Sequence, residues 1–440
     1  MSVGMKISYR AAERVRAIIS TLGRTEDIRF SPNNRCLAIA AFNHSRIVLL
    51  DVEIATTGGT PEVSLTGGVE ISSSCLRYPH GLDFLDDETL VVANREGDVA
   101  VFKLPSARGG AIDLSPIQVL AAGSDSLVVT PGSVSVARTV DGRCELLVCN
   151  NYGDTVSRHV IDRSANCAIV KSSILLKKWL DLPDGLCVSP DGYWIAVSNH
   201  NTNGILIYEC SDALNEDSVP IGVLRGAAYP HGLRFSADCR HLFLADAGAP
   251  FVHVYSNRGQ GWYGTRLPAA SIRVMEEQVF RSGRNNPQEG GPKGIDLDKS
   301  MTVLATTSEY QPLLFLDAAA MLAAASSAAP PIEAEYELGI LETAARFKAR
   351  ARQIEEQAAM AAARAAAAEA RADAAERRAS EAEASAACQE ARAEKFKAKA
   401  AKAKAKAARA KARASFVING QPWLITAPLS RLYSAFKRAN

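Results

Sequence analysis

Two histidines, His80 and His231, occupy the same place in two copies of one pentapeptide, Tyr-Pro-His-Gly-Leu, at residues 78–82 and 229–233. Aligning the chain on these copies brings Glu26, Gly132, Asp184 and Lys293 to the equivalent position. Two imidazoles beside two carboxylates are a donor set for a divalent cation, oxygen suiting calcium and imidazole suiting zinc. Imidazole is also the commonest general base, which makes His80 and His231 the catalytic candidates. Glu26, His80, Asn94, Asp184, His231 and Lys293 are the ligand-binding candidates. Lys293 works against a metal at this place, because its own charge repels the ion. Duplication alone also produces identical pentapeptides, so a purely structural role for both histidines stays open.

The elements that must position these residues show in the repeat itself. Six copies of one phrase begin at Glu26, His80, Gly132, Asp184, His231 and Lys293, at intervals of 54, 52, 52, 47 and 62 residues. Each copy starts an alternating strand, turns through a stretch such as Ser189-Pro190-Asp191-Gly192, and continues into a more apolar strand such as Leu242 to Ala245. A third strand follows, and a fourth stands just ahead of several copies, as at Ile117 to Leu120 and Ile221 to Leu224. Such meanders at a period near 50 residues define a radial β array. The expectation is an all-β six-bladed propeller over residues 1–320, with Arg14 to Ile19 returning as the outer strand of the last blade. A degenerate seventh blade at 258–290 is the alternative. In such a ring the six first positions face the central channel. A second polar ring ends the middle strands: Asn43, Asn94, Asn150, Asn199, Asp246 and Thr306. Asn or Asp at a strand end also commonly bonds its own loop, which is the simpler reading of that ring.

The His-Gly-Leu and Asp-Gly-Leu strand starts, together with the Ser-Pro-Asp-Gly turn, resemble the six-bladed propellers of the NHL-repeat and regucalcin/gluconolactonase-like group over residues 14–317. In the lactonase branch, Glu, Asn and Asp at axial positions hold a metal. The resemblance implies Glu26, Asn150, Asp184, Asn199 and Asp246 as the matching metal positions. In the amidating-lyase branch axial histidines hold zinc, and His80 and His231 are the two such histidines here. The implied cofactor is a divalent cation, calcium or zinc, on the axis.

Past a linker at 321–337 the composition changes. From Ile340 to Ala414 there is neither Gly nor Pro, and 34 of 75 residues are Ala, which favours helix throughout. A seam at alternating spacings of four and three, from Ile340 through Phe347, Ile354 and Phe396 to Ala414, contains no charged residue. Residues 338–415 are therefore expected to form a left-handed coiled coil that makes the protein a homo-oligomer. Within it, Lys395, Lys399, Lys402, Lys406, Arg409 and Arg413 are candidate polyanion contacts. The tail, 416–440, carries an Asn-Gly turn and a short apolar face; Trp423, Leu432, Tyr433 and Phe436 are its expected anchors on a protein partner.

Net charge is only +2, so the balance as a whole implies no nucleic-acid partner. Nine cysteines with no Cys-x-x-Cys pair suggest a reducing compartment. With no leader pattern and no long uncharged apolar stretch, a cytoplasmic location is expected. The reading that uses every segment is a binding and interaction protein: a propeller head, an oligomerising stalk and a docking tail. The alternative is a metal-dependent lactonase-, esterase- or lyase-like enzyme with its site in the central channel. Light scattering of the full chain checks the stalk: a mass at least twice that of one chain is expected, and a monomer at high micromolar concentration contradicts it.

Overall fold

The computed structural model describes residues 5–106, 109–123, 126–138, 144–327, 387 and 389–409. Six sheets, each built on an antiparallel meander, follow one another in the chain. Their innermost strands are Thr25–Phe30, Pro79–Asp86, Pro131–Arg138, Pro183–Val188, Pro230–Phe235 and Ile295–Leu297. Second strands run from Cys36–Ala41 in the first blade to Val303–Thr306 in the sixth. In the first, second and fifth blades every interior residue of the second strand is buried, as both faces of a sandwiched sheet require.

Alternation along those strands builds the disc. In the third blade, Leu146 and Val148 pack toward the second blade, while Leu147 and Cys149 pack toward the fourth. The same period-2 split recurs between every neighbouring pair, giving six apolar layers. One layer joins Ile28, Leu37 and Val48 of the first blade to Val303, Ala305 and Phe315 of the sixth, so the ring is closed. Six blades suffice.

The closing strand is not the one expected. Lys6–Ile7 pairs antiparallel with Leu314–Asp317, at Lys6↔Leu316 and Ile7↔Phe315. Arg14 to Ile19 instead lies in a helix, Glu13–Ser20. Val15, Ile18, Ile19 and Leu22 recur at three- and four-residue spacing, a helical period that buries them against the first blade. Residues 258–290 form no seventh blade. Gly264–Arg266 adds parallel to Gly222–Leu224 of the fourth blade, Ala270–Arg273 is the outer strand of the fifth, and Glu277–Ser282 is a short helix. After the sixth blade, helix Ala318–Ser327 covers the disc with Met321 and Ala325 buried, so the propeller continues into the segment expected to be linker.

The repeated glycine has a steric cause. A Cβ on Gly185 would lie 2.0 Å from the His231 carbonyl oxygen, and one on Gly232 2.4 Å from that of Lys293. The inner strands of neighbouring blades approach too closely for any side chain there. The residue after it is the buried apolar one: Leu82, Leu186, Leu233 and Ile295.

Helix residues 389–409 are all exposed and belong to a second unit. Most of the coiled-coil seam, Arg413, and the tail anchors Trp423, Leu432, Tyr433 and Phe436 lie outside the described residues. No helix among the described residues is long and apolar enough to cross a membrane. Gly185→Ala should cost about 3 kcal/mol or more, at the top of the range for overpacking. A urea midpoint unchanged from wild type would contradict the close approach.

Candidate metal centre on the propeller axis

Because the start of each inner strand pairs with the end of its second strand, as at Pro79↔Asn94 and Pro183↔Asn199, one end of the disc gathers all six opening residues. Glu26, His80, Asp184, His231 and Lys293 are buried together there. Glu26 divides its oxygens. Oε1 takes the ammonium of Lys293 at 2.9 Å and the guanidinium of Arg24, while Oε2 lies 3.6 Å from His80 Nε2 and 3.4 Å from His231 Nε2. Lys293 also reaches Glu289 Oε2 at 2.6 Å, and Arg24 completes the far side with Glu289 and Glu309.

Asp184 makes a second group on the other side of His231. Its Oδ2 is 3.1 Å from His231 Nε2 and 3.7 Å from His200 Nε2; its Oδ1 accepts from Arg95 at 2.9 Å and from Asn151 at 3.1 Å. His200, in the 3-10 turn His200–Thr202 just past the second strand of the fourth blade, stacks on Tyr229 with ring centroids 3.9 Å apart. It is a functional candidate that the repeat alignment misses, since it stands one residue beyond the aligned Asn199. The only signal was a histidine directly after that strand.

The charges nearly cancel. Arg24, Arg95 and Lys293 face Glu26, Asp184, Glu289 and Glu309, leaving one negative charge if all four acids ionise. A proton on His231 neutralises it. Burial opposes that proton, but Asp184 and Glu26 outweigh it and raise the His231 pKa. Burial, aided by Arg95, lowers His80 to about 3, and burial lowers His200 to about 4. Against the cost of their own burial, Glu26 is held well below its ordinary range by Lys293 and Arg24, and Asp184 by the surrounding histidines and Arg95. His80 Nδ1 lies 2.7 Å from the Gly132 carbonyl, so neutral His80 donates there and turns an unprotonated Nε2 toward Glu26, where Arg95 Nη2 stands 2.6 Å away.

The strand-end amides go elsewhere. Asn94 accepts from Arg77 N–H and donates to the Asp98 carbonyl; Asn150 accepts from Val129 N–H and donates to the Leu127 carbonyl. Asn199 accepts from Asp181 N–H and donates to the Trp179 carbonyl, while Asp246 accepts from the N–H groups of Ala228, Tyr229 and Gly248. Each pins the loop that leads into its own blade. Asn43 is exposed. Of the five positions implied for a metal by resemblance, the structure brings Glu26 and Asp184 to the cluster of histidines and commits Asn150, Asn199 and Asp246 to backbone.

One layer further in, the fourth phrase position gives Arg29, Asp83, Ser135, Cys187, Arg234 and Asp296. Here carboxylates tie blade to blade: Asp296 accepts from Phe30 N–H at 2.7 Å, Asp83 from Val136 N–H at 2.7 Å and Asp27 from Leu82 N–H at 2.9 Å. Burial raises Asp27, Asp83 and Asp296 to about 6 against the pull of Arg29. Between the two layers lies a cavity of about 10 Å³, room for a single water-sized particle.

Two groups here have metal-ligand spacing: Glu26, His80 and His231, and Asp184, His200 and His231, with the donor atoms of each within 4.8 Å of one another. A tetrahedral zinc with bonds of about 2.0–2.1 Å sets donor–donor edges of about 3.3–3.4 Å. The carboxylate–imidazole distances of 3.1–3.7 Å bracket that edge. Glu26 Oε2 and His200 Nε2 are buried with no hydrogen-bond partner. The His80–Gly132 bond is the kind of outer contact that fixes a ligand histidine. The chain thus fits an imidazole-rich zinc centre better than an oxygen cage for calcium.

No family model matches the chain, and no curated protein does either. Among solved structures it is similar to a proposed gluconolactonase at 14% identity and TM-score 0.44, covering 72% of this chain and 93% of that one. It is also similar to a proposed 6-phosphogluconolactonase from Bacteroides uniformis (15%, TM-score 0.40, 66% and 82%) and to Kuenenia stuttgartiensis hydrazine synthase (12%, TM-score 0.40, 67% and 83%). At this distance the likenesses carry no functional argument. The chemistry rests on the cluster.

A raised His231 pKa contributes stability that is fully present below the ordinary histidine value near 6.5 and is lost as pH rises through the higher folded value. His231→Gln should therefore cost more stability at pH 6 than at pH 9 in urea unfolding. A larger cost at pH 9 would contradict the imidazolium.

Proposed function

We propose that the propeller is a metal-dependent enzyme of the lactonase, esterase or lyase type, with its ion held on the axis by His231 together with Glu26 and His80, or with Asp184 and His200. The observation that carries this reading is the pair of two-histidine, one-carboxylate groups that share His231, with the donor atoms of each within 4.8 Å of one another. A zinc ion bound there supplies a Lewis acid that polarises a carbonyl oxygen or lowers the pKa of a bound water.

The chain's own residues divide the remaining work. With the ion on the Glu26 side, His200 is the proton acceptor: it is neutral, its Nε2 is unpartnered, and Tyr229 fixes its plane. Asp184, 3.7 Å from that nitrogen, stabilises the imidazolium formed. Arg95 donates to His80 Nε2 and Asp184 Oδ1; with His80 on an ion, Arg95 gives up the first contact and stays on Asp184, free to meet negative charge developing on a substrate oxygen. The inner cavity is too small for a substrate, so the substrate sits at the mouth. The loops at that end carry Phe42, Tyr78, Tyr152, Tyr229 and Tyr310, with Tyr152 and Tyr310 exposed by 68% and 60%. These flat faces suit a small ring or acyl group. The binding-head reading keeps the same mouth and omits the chemistry.

Calorimetric zinc titration is expected to give one ion per chain, tighter at pH 8 than at pH 6 because His231 must lose its proton. Glu26→Gln and His231→Asn should each weaken binding at least tenfold. Hydrolysis of a panel of small lactones and aryl esters by the zinc-loaded protein should fall by about 10²-fold or more in His200→Asn. Zinc binding unaffected by both ligand changes contradicts the site; a sound site with no turnover leaves a binding head.

A further inference from the structure

We infer that helix residues 395–409 form a sequence-independent binding element for duplex nucleic acid. Seven cations and no acid lie between Lys395 and Arg409, all of them exposed. On a helix of 3.6 residues per turn they fall into two stripes. Lys395, Lys399, Lys402, Lys406 and Arg409 share an arc of about 80°, and Lys397 with Lys404 stand roughly opposite. Two alanine faces separate the stripes: the seam side, Phe396, Ala400, Ala403 and Ala407, and opposite it Ala398, Ala401, Ala405 and Ala408, the side free to face a ligand.

Within the larger stripe like charges face each other at three- and four-residue spacing, an arrangement that weakens a helix standing alone. Lys397 has an acid close by, Glu394 at 3.0 Å, in the turn before the run. A polyanion relieves the repulsion. The two-sided arrangement says which kind. A lipid surface is flat and meets one stripe; its binding helices also carry bulky apolar residues on the buried face, where this helix has alanine and a lone phenylalanine. The major groove is about 12 Å wide and walled by phosphates on both sides. An alanine-faced helix is slim enough to lie in it with one stripe on each wall. No side chain of the run is suited to discriminate bases beyond Lys and Arg, so the contacts are to phosphate and carry no sequence preference.

The test uses the full chain, a 30-base-pair duplex of random sequence, and phosphatidylserine vesicles. Each phosphate contact contributes about −0.9 to the slope of log Kobs against log salt. With both stripes on phosphate, seven contacts in all, wild type should show a slope of about −6. Changing Lys395, Lys399, Lys402, Lys406 and Arg409 to Gln, a comparably good helix former, should flatten it by about 4. Lys397→Gln with Lys404→Gln should flatten it by about 2, since that stripe meets the second wall. Circular dichroism confirms that helix content is kept. Unchanged slopes in either variant overturn the proposal, as does binding to the vesicles without binding to the duplex.

Discussion

Closing six sheets into a ring forces six inner strands onto one axis, and this convergence governs the rest of the molecule. Each strand approaches the next so nearly that a Cβ on Gly81, Gly185, Gly232 or Gly294 would fall within 2.6 Å of neighbouring backbone. The residue before each of these glycines is thereby delivered to a shared, buried space whatever its chemistry. Charges crowded in that space must balance, because desolvation leaves water unable to screen them. The cluster of Arg24, Arg95 and Lys293 with Glu26, Asp184, Glu289 and Glu309 meets that demand with His231 as the adjustable member.

The same balance explains why a cation is admissible despite Lys293. Lys293 is held on Glu26 Oε1 and Glu289, so the face of Glu26 turned toward the imidazoles is the other oxygen. On the proposed reading, an ion between Glu26, His80 and His231 would take the place of the His231 proton and of the Arg95 contact to neutral His80. The inner layer is of another kind. There carboxylates accept backbone N–H groups from the adjoining blade, which fastens the blades to each other.

Much of this was legible in the residues. The blade number, the turns and the five polar residues that converge all followed from one repeated phrase, because radial packing imposes the same steric need on each copy. The strand-end amides of Asn94, Asn150 and Asn199 pin loops, which is the simpler reading of that ring. Two features were obscured. Arg14 to Ile19 reads as a strand because a short apolar run fits either period; Leu22, beyond that run, completes the helical spacing. His200 lies outside the repeat phrase, in a 3-10 turn closed by Asn203 in the αL conformation (φ 49°); the first blade has the same turn, Phe42–His44 before Ser45, but with Phe42 in the place of the histidine.

Crystals soaked in zinc and measured at its absorption edge test the centre most directly. One anomalous peak is expected on the propeller axis, about 2.0–2.1 Å from His231 Nε2. A zinc-loaded crystal whose peaks all lie elsewhere, with His231 still bridging Asp184 and Glu26, would contradict it.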